Sequence, residues 1–164
     1  MTVRAALGDK WGGSPAASHH EEVDEQLEKG KVSRSQDLQI SGRLLLLARA
    51  VALVTVSALG LLFTSAGVLV QDGTSLDVHS SAAIALHVLT GVLALVLGWR
   101  AWATRRGRWA AVVALVLFGA TFAQASLGGS STLAFHIGVA LVLTVLCTWL
   151  AAWTFGRSLY EEIE

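Results

Sequence analysis

The chain has 164 residues, of which 54% are hydrophobic and only 15% charged, with a mean hydropathy of +0.60. That is too apolar and too charge-poor for an ordinary soluble domain of this length, and it argues against a soluble enzyme. Lys+Arg and Asp+Glu number 12 each, so no global field points to nucleic acid or to an acidic substrate.

Residues 1–42 are polar and of mixed charge, and they contain the only proline, Pro15. A short run from Glu21 to Lys31 has the composition of a solvated helix, and the segment as a whole reads as a largely disordered cytosolic tail. It does not read as a secretory signal, because this long charged stretch precedes the first apolar run. A transmembrane domain over residues 43–157 follows, with spans at about 44–70, 80–103, 109–127 and 132–155, and then a short cytosolic tail over 158–164. Each span is near the ~20 residues that cross a ~30 Å hydrocarbon core as a helix. None contains proline, and none shows the alternation of a barrel strand. The predicted fold is all-α, a four-transmembrane-helix bundle.

Basic residues orient the bundle. Seven lie at or before Arg49, four sit in or beside the second connector (Arg100, Arg105, Arg106, Arg108), and the last is Arg157. The two opposite connectors carry no Lys or Arg, and the first carries Asp72 and Asp77. The positive-inside rule then puts both termini in the cytoplasm, with the chain multi-pass in a plasma (inner) membrane. Trp99, Trp102, Trp109, Trp149 and Trp153 fall near the cytoplasmic ends of spans two to four, where an interfacial aromatic belt lies. The single cysteine, Cys147, has no internal disulfide partner and reads as a small buried apolar residue. Cys/His spacing of a zinc site is missing.

Ionisable residues inside a span are costly and usually functional. His79 and His87 on span two and His136 on span four meet that description, whereas His19 and His20 lie in the tail. Span two reads His79, Ala83, His87, Thr90/Gly91, Ala94, Gly98 along one stripe. Span four repeats the pattern with Thr132, His136, Ala140, Thr144, Cys147/Thr148 and Ala151. Ser57, Gly60, Thr64 and Gly67 suggest a weakly polar inward face on span one, as do Thr121, Gln124 and Gly128 on span three. Counted from the outer boundary, His79 is at the surface, Gln124 and His136 about one turn in, and His87 roughly 10 Å deep.

Two neutral imidazoles on facing helices, above small side chains, suit the two axial positions of a haem iron. His79 and His87 differ by ~12 Å along the helix and ~80° around it, so they cannot both serve one iron. The candidate ligand set is therefore His136 with His87 or His79, with Gln124 beside it. The competing reading is packing alone, for example a hydrogen bond between His136 and Gln124 worth about 1 kcal/mol or less.

The segment Gln124-Ala-Ser-Leu127-Gly128, followed by Leu133-Ala134-Phe135-His136, resembles the end of helix three and the helix-four histidine of haem A synthase-type proteins. Val78-His79 resembles that family's helix-two histidine, a place that His87 also fits. The resemblance implies half of such a protein, a four-helix unit with histidine ligands in its second and fourth helices. Ser80 stands where the family has arginine, Asp72 and Asp77 where it has a glutamate, and the outer-loop cysteine pair is absent. What the likeness implies is thus binding of haem b rather than oxidation of a haem methyl group.

The expected function is a bis-histidine haem b protein in electron transfer or in haem or oxidase maturation. The alternative is a non-catalytic accessory or scaffold subunit of a membrane complex without a cofactor. Nothing in the sequence requires an enzyme; as an enzyme the chain would be a haem-dependent membrane oxidoreductase. Expected partners are the lipid bilayer and either a second copy, two half-units mimicking the full-length arrangement, or a respiratory or oxidase-assembly protein.

Overall fold

The computed structural model describes residues 15–129 and 131–161, and among them the regular structure is α-helix without any strand. The elements are α1 (Pro15–Asp72), α2 (Leu76–Thr104), α3 (Arg108–Ser126) and α4 (Leu133–Glu161). Each contains a stretch long and apolar enough to cross a membrane, and the chain is a multi-pass, four-helix membrane protein by that measure.

α1 is already helical from Pro15, so the solvated helix expected from Glu21 to Lys31 lies within it. Proline has the right fixed φ for a first helical position. The following residues are mostly Ala, Glu, Gln, Lys and Leu, good helix formers, and Glu25 pairs with Lys29 one turn on. Residues 1–14 lie outside the described residues. By backbone contacts the chain divides into two units, Met1–Gln39 and Ile40–Glu164. In the first, every side chain from Asp24 onward is exposed. The second holds the bundle.

Within the bundle, short connectors force consecutive helices to run antiparallel. The α1–α2 turn uses Gly73 and Ser75 at positive φ, and the α2–α3 turn uses Arg105 and Gly107 in the same way. Polar contacts then fix the order of helices around the ring. Ser65 of α1 meets His79 of α2, His87 of α2 meets Thr121 of α3, and Gln124 of α3 meets His136 of α4. Arg49 of α1 closes the ring by donating from Nε to the Thr154 carbonyl of α4 at 2.9 Å, its guanidinium 5.4 Å from the Phe155 ring centroid. With ring order equal to chain order, α2 and α4 face each other across the bundle.

The core is densest toward the Arg49 end. Ala48, Ala52, Ala110, Ala114 and Ala151 let the helices approach closely, and Leu93, Leu117 and Leu150 fill the space between them. Cys147 is part of this cluster, as its apolar reading anticipates. The buried hydroxyls of Thr55, Thr90 and Thr154 donate to carbonyls of their own helices, so they cost little.

Two side-chain stripes differ from expectation. Ser57, Gly60, Thr64 and Gly67 of α1 are exposed, and the inward face is instead Ala48, Ala52, Thr55, Leu59 and Ser65. Apolar residues flank both faces of this span, so small size alone did not reveal which one turned inward. On α2 the stripe winds around the helix, because each four-residue step overshoots a full turn by about 40°. Thr90 thus enters the core, whereas Gly91, Ala94 and Gly98 lie half-buried along the α3 seam.

The tryptophans also divide. Trp99 and Trp102 are exposed, as a lipid-anchoring belt requires. Trp109 instead packs on Trp149 and Trp153, with ring centroids 5.0 and 4.8 Å apart, and so ties α3 to α4. Trp153 also lies over Gly107, where a Cβ would come within 3.1 Å of its Cη2 and 3.4 Å of Arg100 Nη1. Gly107→Ala is therefore expected to cost about 1–3 kcal/mol, the range for a side chain held in the left-handed region. Gly73→Ala, also at positive φ but with open space around it, should cost less. Equal midpoints for both variants in detergent unfolding would refute the packing contribution.

Candidate functional site

Three histidines, each half-buried, occupy the end of the bundle opposite Arg49, and each is held through Nδ1. His136 lies in the first turn of α4, its backbone N–H bonded to the Thr132 carbonyl. Its Nδ1 is 3.1 Å from the Gln124 backbone carbonyl, which can only accept, so Nδ1 carries the hydrogen. Gln124 answers by donating from Nε2 to the His136 carbonyl at 2.7 Å. This reciprocal pair locks the start of α4 to the end of α3. The other amide atom, Gln124 Oε1, is buried without a hydrogen-bond partner. A buried acceptor left unmet costs free energy, and among the described residues this one lies at the histidine end of the bundle.

His87 sits deeper on α2. Its Nδ1 lies 2.6 Å from Thr121 Oγ1, and that hydroxyl donates its one hydrogen to the Phe118 carbonyl at 2.6 Å. With that hydrogen on the Phe118 carbonyl, the hydroxyl oxygen is placed to accept from the imidazole. Phe122 meets the ring edge-on with centroids 3.7 Å apart, and Phe118 lies tilted at 4.9 Å. The two phenylalanines stack one turn apart on α3 and fix the ring plane between them and Thr121.

His79 follows the same rule with a different neighbour. Its Nδ1 is 3.1 Å from Ser65 Oγ, which donates to the Leu62 carbonyl at 3.1 Å. His79 is thus tied to α1, while His87 and His136 are tied to α3. The partners of the latter two, Thr121 and Gln124, are three residues apart and share one turn. Two imidazoles from facing helices hang from a single turn of the helix between them.

In all three rings it is Nδ1 that meets the neighbour, and in His136, whose partner is a backbone carbonyl, Nδ1 carries the hydrogen. A histidine whose Nδ1–H is held by a carbonyl or hydroxyl and whose Nε2 is free is arranged as metal-ligating histidines are. Among the described residues no three or more His, Cys, Asp or Glu side chains converge as a protein-only metal site would need.

The sequence did not single out Ser65, Phe118 or Phe122. Ser65 follows Leu59 and Thr55 on the inward face of α1 and was hidden by the more conspicuous Ser/Gly/Thr stripe. The phenylalanines bracket Thr121 by three residues and one, a spacing that puts them against whatever that threonine touches. Comparison with protein-family models, with curated proteins and with solved structures finds no match to this chain.

Proposed function

We propose that this membrane protein binds haem b between His136 and His87 and serves electron transfer or haem or oxidase maturation. The observation that carries the proposal is the shared anchorage of the two rings, each through Nδ1, on Thr121 and Gln124 of one turn of α3. The residues present fit the group: His87 and His136, from facing helices, would hold its iron, and Phe118 and Phe122 would lie against its apolar surface. Haem held in this way supplies a one-electron redox centre. The chain's part is to orient the rings through Thr121 and Gln124 and to exclude water with Phe118 and Phe122. His79, tied to α1, is left as a polar group near the end of the span.

The distribution of charge supports an orientation. Arg105, Arg106 and Arg108 lie at one end of the bundle and Asp72 and Asp77 at the other, so the arginine end faces the cytoplasm of a plasma (inner) membrane and the histidines lie toward the opposite face.

A dithionite-reduced minus oxidised spectrum of protein purified in mild detergent, after expression with ample haem, tests the proposal. The wild-type chain is expected to show a haem b α-band that His136→Ala and His87→Ala each abolish and His79→Ala preserves. Loss in His79→Ala with retention in His87→Ala would move the second ligand to His79. A featureless spectrum from folded wild-type protein would overturn haem binding. The exposed Ser57/Gly60/Thr64/Gly67 stripe of α1 would then favour an accessory subunit that packs against another helix.

A further inference from the structure

The α2–α3 seam has a second feature, at the end away from the histidines. Beside the connector, Ala101, Trp102, Arg105, Arg108 and Ala111 line a pocket of about 180 Å³. From Ala111 a groove of about 370 Å³ continues along the same seam, past Gly98 and Leu115, to Gly91 and Phe118. It is lined only by apolar residues. The groove exists because α2 has glycine at two places facing it: a Cβ at Gly98 would meet nothing within 4 Å, and one at Gly91 would press on Phe118 at 3.0 Å. From Gly98 to Gly91 it follows the helix axis for about 10 Å.

The pocket at its mouth is cationic. Arg105 and Arg108 are exposed, and among the described residues neither has a carboxylate within ion-pair distance. The sequence from Leu76 onward has no acidic residue between Asp77 and the C-terminal tail, so both helices of the seam lack one at this end. Trp102, 75% exposed, stands at the same level, and its amphipathic ring suits headgroup depth.

We propose that pocket and groove together bind one anionic phospholipid, its phosphate on Arg105 and Arg108 and an acyl chain along the groove to Phe118. Charge complementarity at one end, apolar lining at the other and their junction at Ala111 match the two halves of such a lipid and no purely apolar ligand. The assignment rests on the four helices being membrane spans and does not depend on haem.

Native mass spectrometry in mild detergent, with added phosphatidylglycerol or phosphatidylcholine of identical acyl chains, tests it. Wild-type protein is expected to retain phosphatidylglycerol in preference by roughly 10-fold or more, about what two basic side chains provide at an anionic surface. Arg105→Gln/Arg108→Gln should remove the preference and still bind phosphatidylcholine. Gly98→Leu fills open space and removes a helix-interior glycine, so it should fold, keep the preference and weaken retention of both lipids. Equal retention of the two lipids by wild-type protein would overturn the proposal. So would a preference that survives Arg105→Gln/Arg108→Gln, or a lipid-free dimer that Gly98→Leu dissociates. Circular dichroism checks each variant, and if the double variant is unfolded Gly98→Leu alone decides. Release of the wild-type chain from vesicles by alkaline carbonate would overturn the membrane reading itself, whereas a chain that resists extraction and shows no preference overturns only the lipid site.

Discussion

Thr121→Val is expected to lower the haem affinity of the proposed site by roughly 10- to 100-fold, the usual consequence of removing a group that orients a ligating histidine. Valine keeps nearly the volume and shape of threonine but offers no hydroxyl, so His87 Nδ1 loses its partner in a place where Thr121 is only 8% exposed and water does not readily substitute. The ring is then free to turn between Phe118 and Phe122. Ser65→Ala is the matched control, because it removes the equivalent hydroxyl from His79 and should leave affinity unchanged. Haemin titration of the apoprotein measures both. Thr121→Ser should restore binding, which separates orientation of the ring from packing. The opposite ranking, with Ser65→Ala the more damaging, would make His79 the ligand.

The second large effect concerns stability. Leu117→Ala should destabilise the bundle by about 2–4 kcal/mol, within the range for truncating a fully buried leucine that leaves a cavity. Leu117 is 1% exposed on α3, the helix that packs against both α2 and α4, so its loss loosens two seams at once. Its neighbour Val116 is 59% exposed, on the outward side of a helix apolar enough to span a membrane. Lipid tails are as apolar as the side chain they replace, so Val116→Ala should change stability by no more than about 0.5 kcal/mol. Unfolding in mixed micelles of increasing denaturing-detergent fraction reports both. Similar losses at the two positions would mean that α3 does not occupy the central place between α2 and α4.

Much of the architecture was legible in the apolar runs. The spans expected at 80–103 and 109–127 are α2 (Leu76–Thr104) and α3 (Arg108–Ser126), because a stretch that must satisfy its backbone in lipid has no choice but helix, and connectors of a few residues leave no latitude in direction. Intramembrane histidine was conspicuous for the same reason: it is expensive, so it stands out from Leu, Val and Ala. Gln124 beside His136 was legible from their places at the facing ends of spans three and four, but the neighbours of His79 and His87 were not. They depend on the ring order of the helices and on a drift of about 40° per four-residue step, which turns His79 toward α1 and His87 toward α3 although both belong to one stripe on paper. The inward face of α1 was hidden for a related reason. In a bilayer both faces of a span are apolar, so the contrast that marks the buried face of a soluble helix is missing. The polar stretch before Ile40 carries the solvated helix that its composition suggested from Glu21 to Lys31, with exposed side chains from Asp24 onward.

Cys147 turns the packing of the bundle into a clock. It is the only thiol in the chain, 4% exposed among the core residues of the Arg49 half. A thiol reagent reaches it only after helices part, so the rate of covalent labelling measures how often that half of the bundle opens, in unmodified protein and in any membrane or micelle.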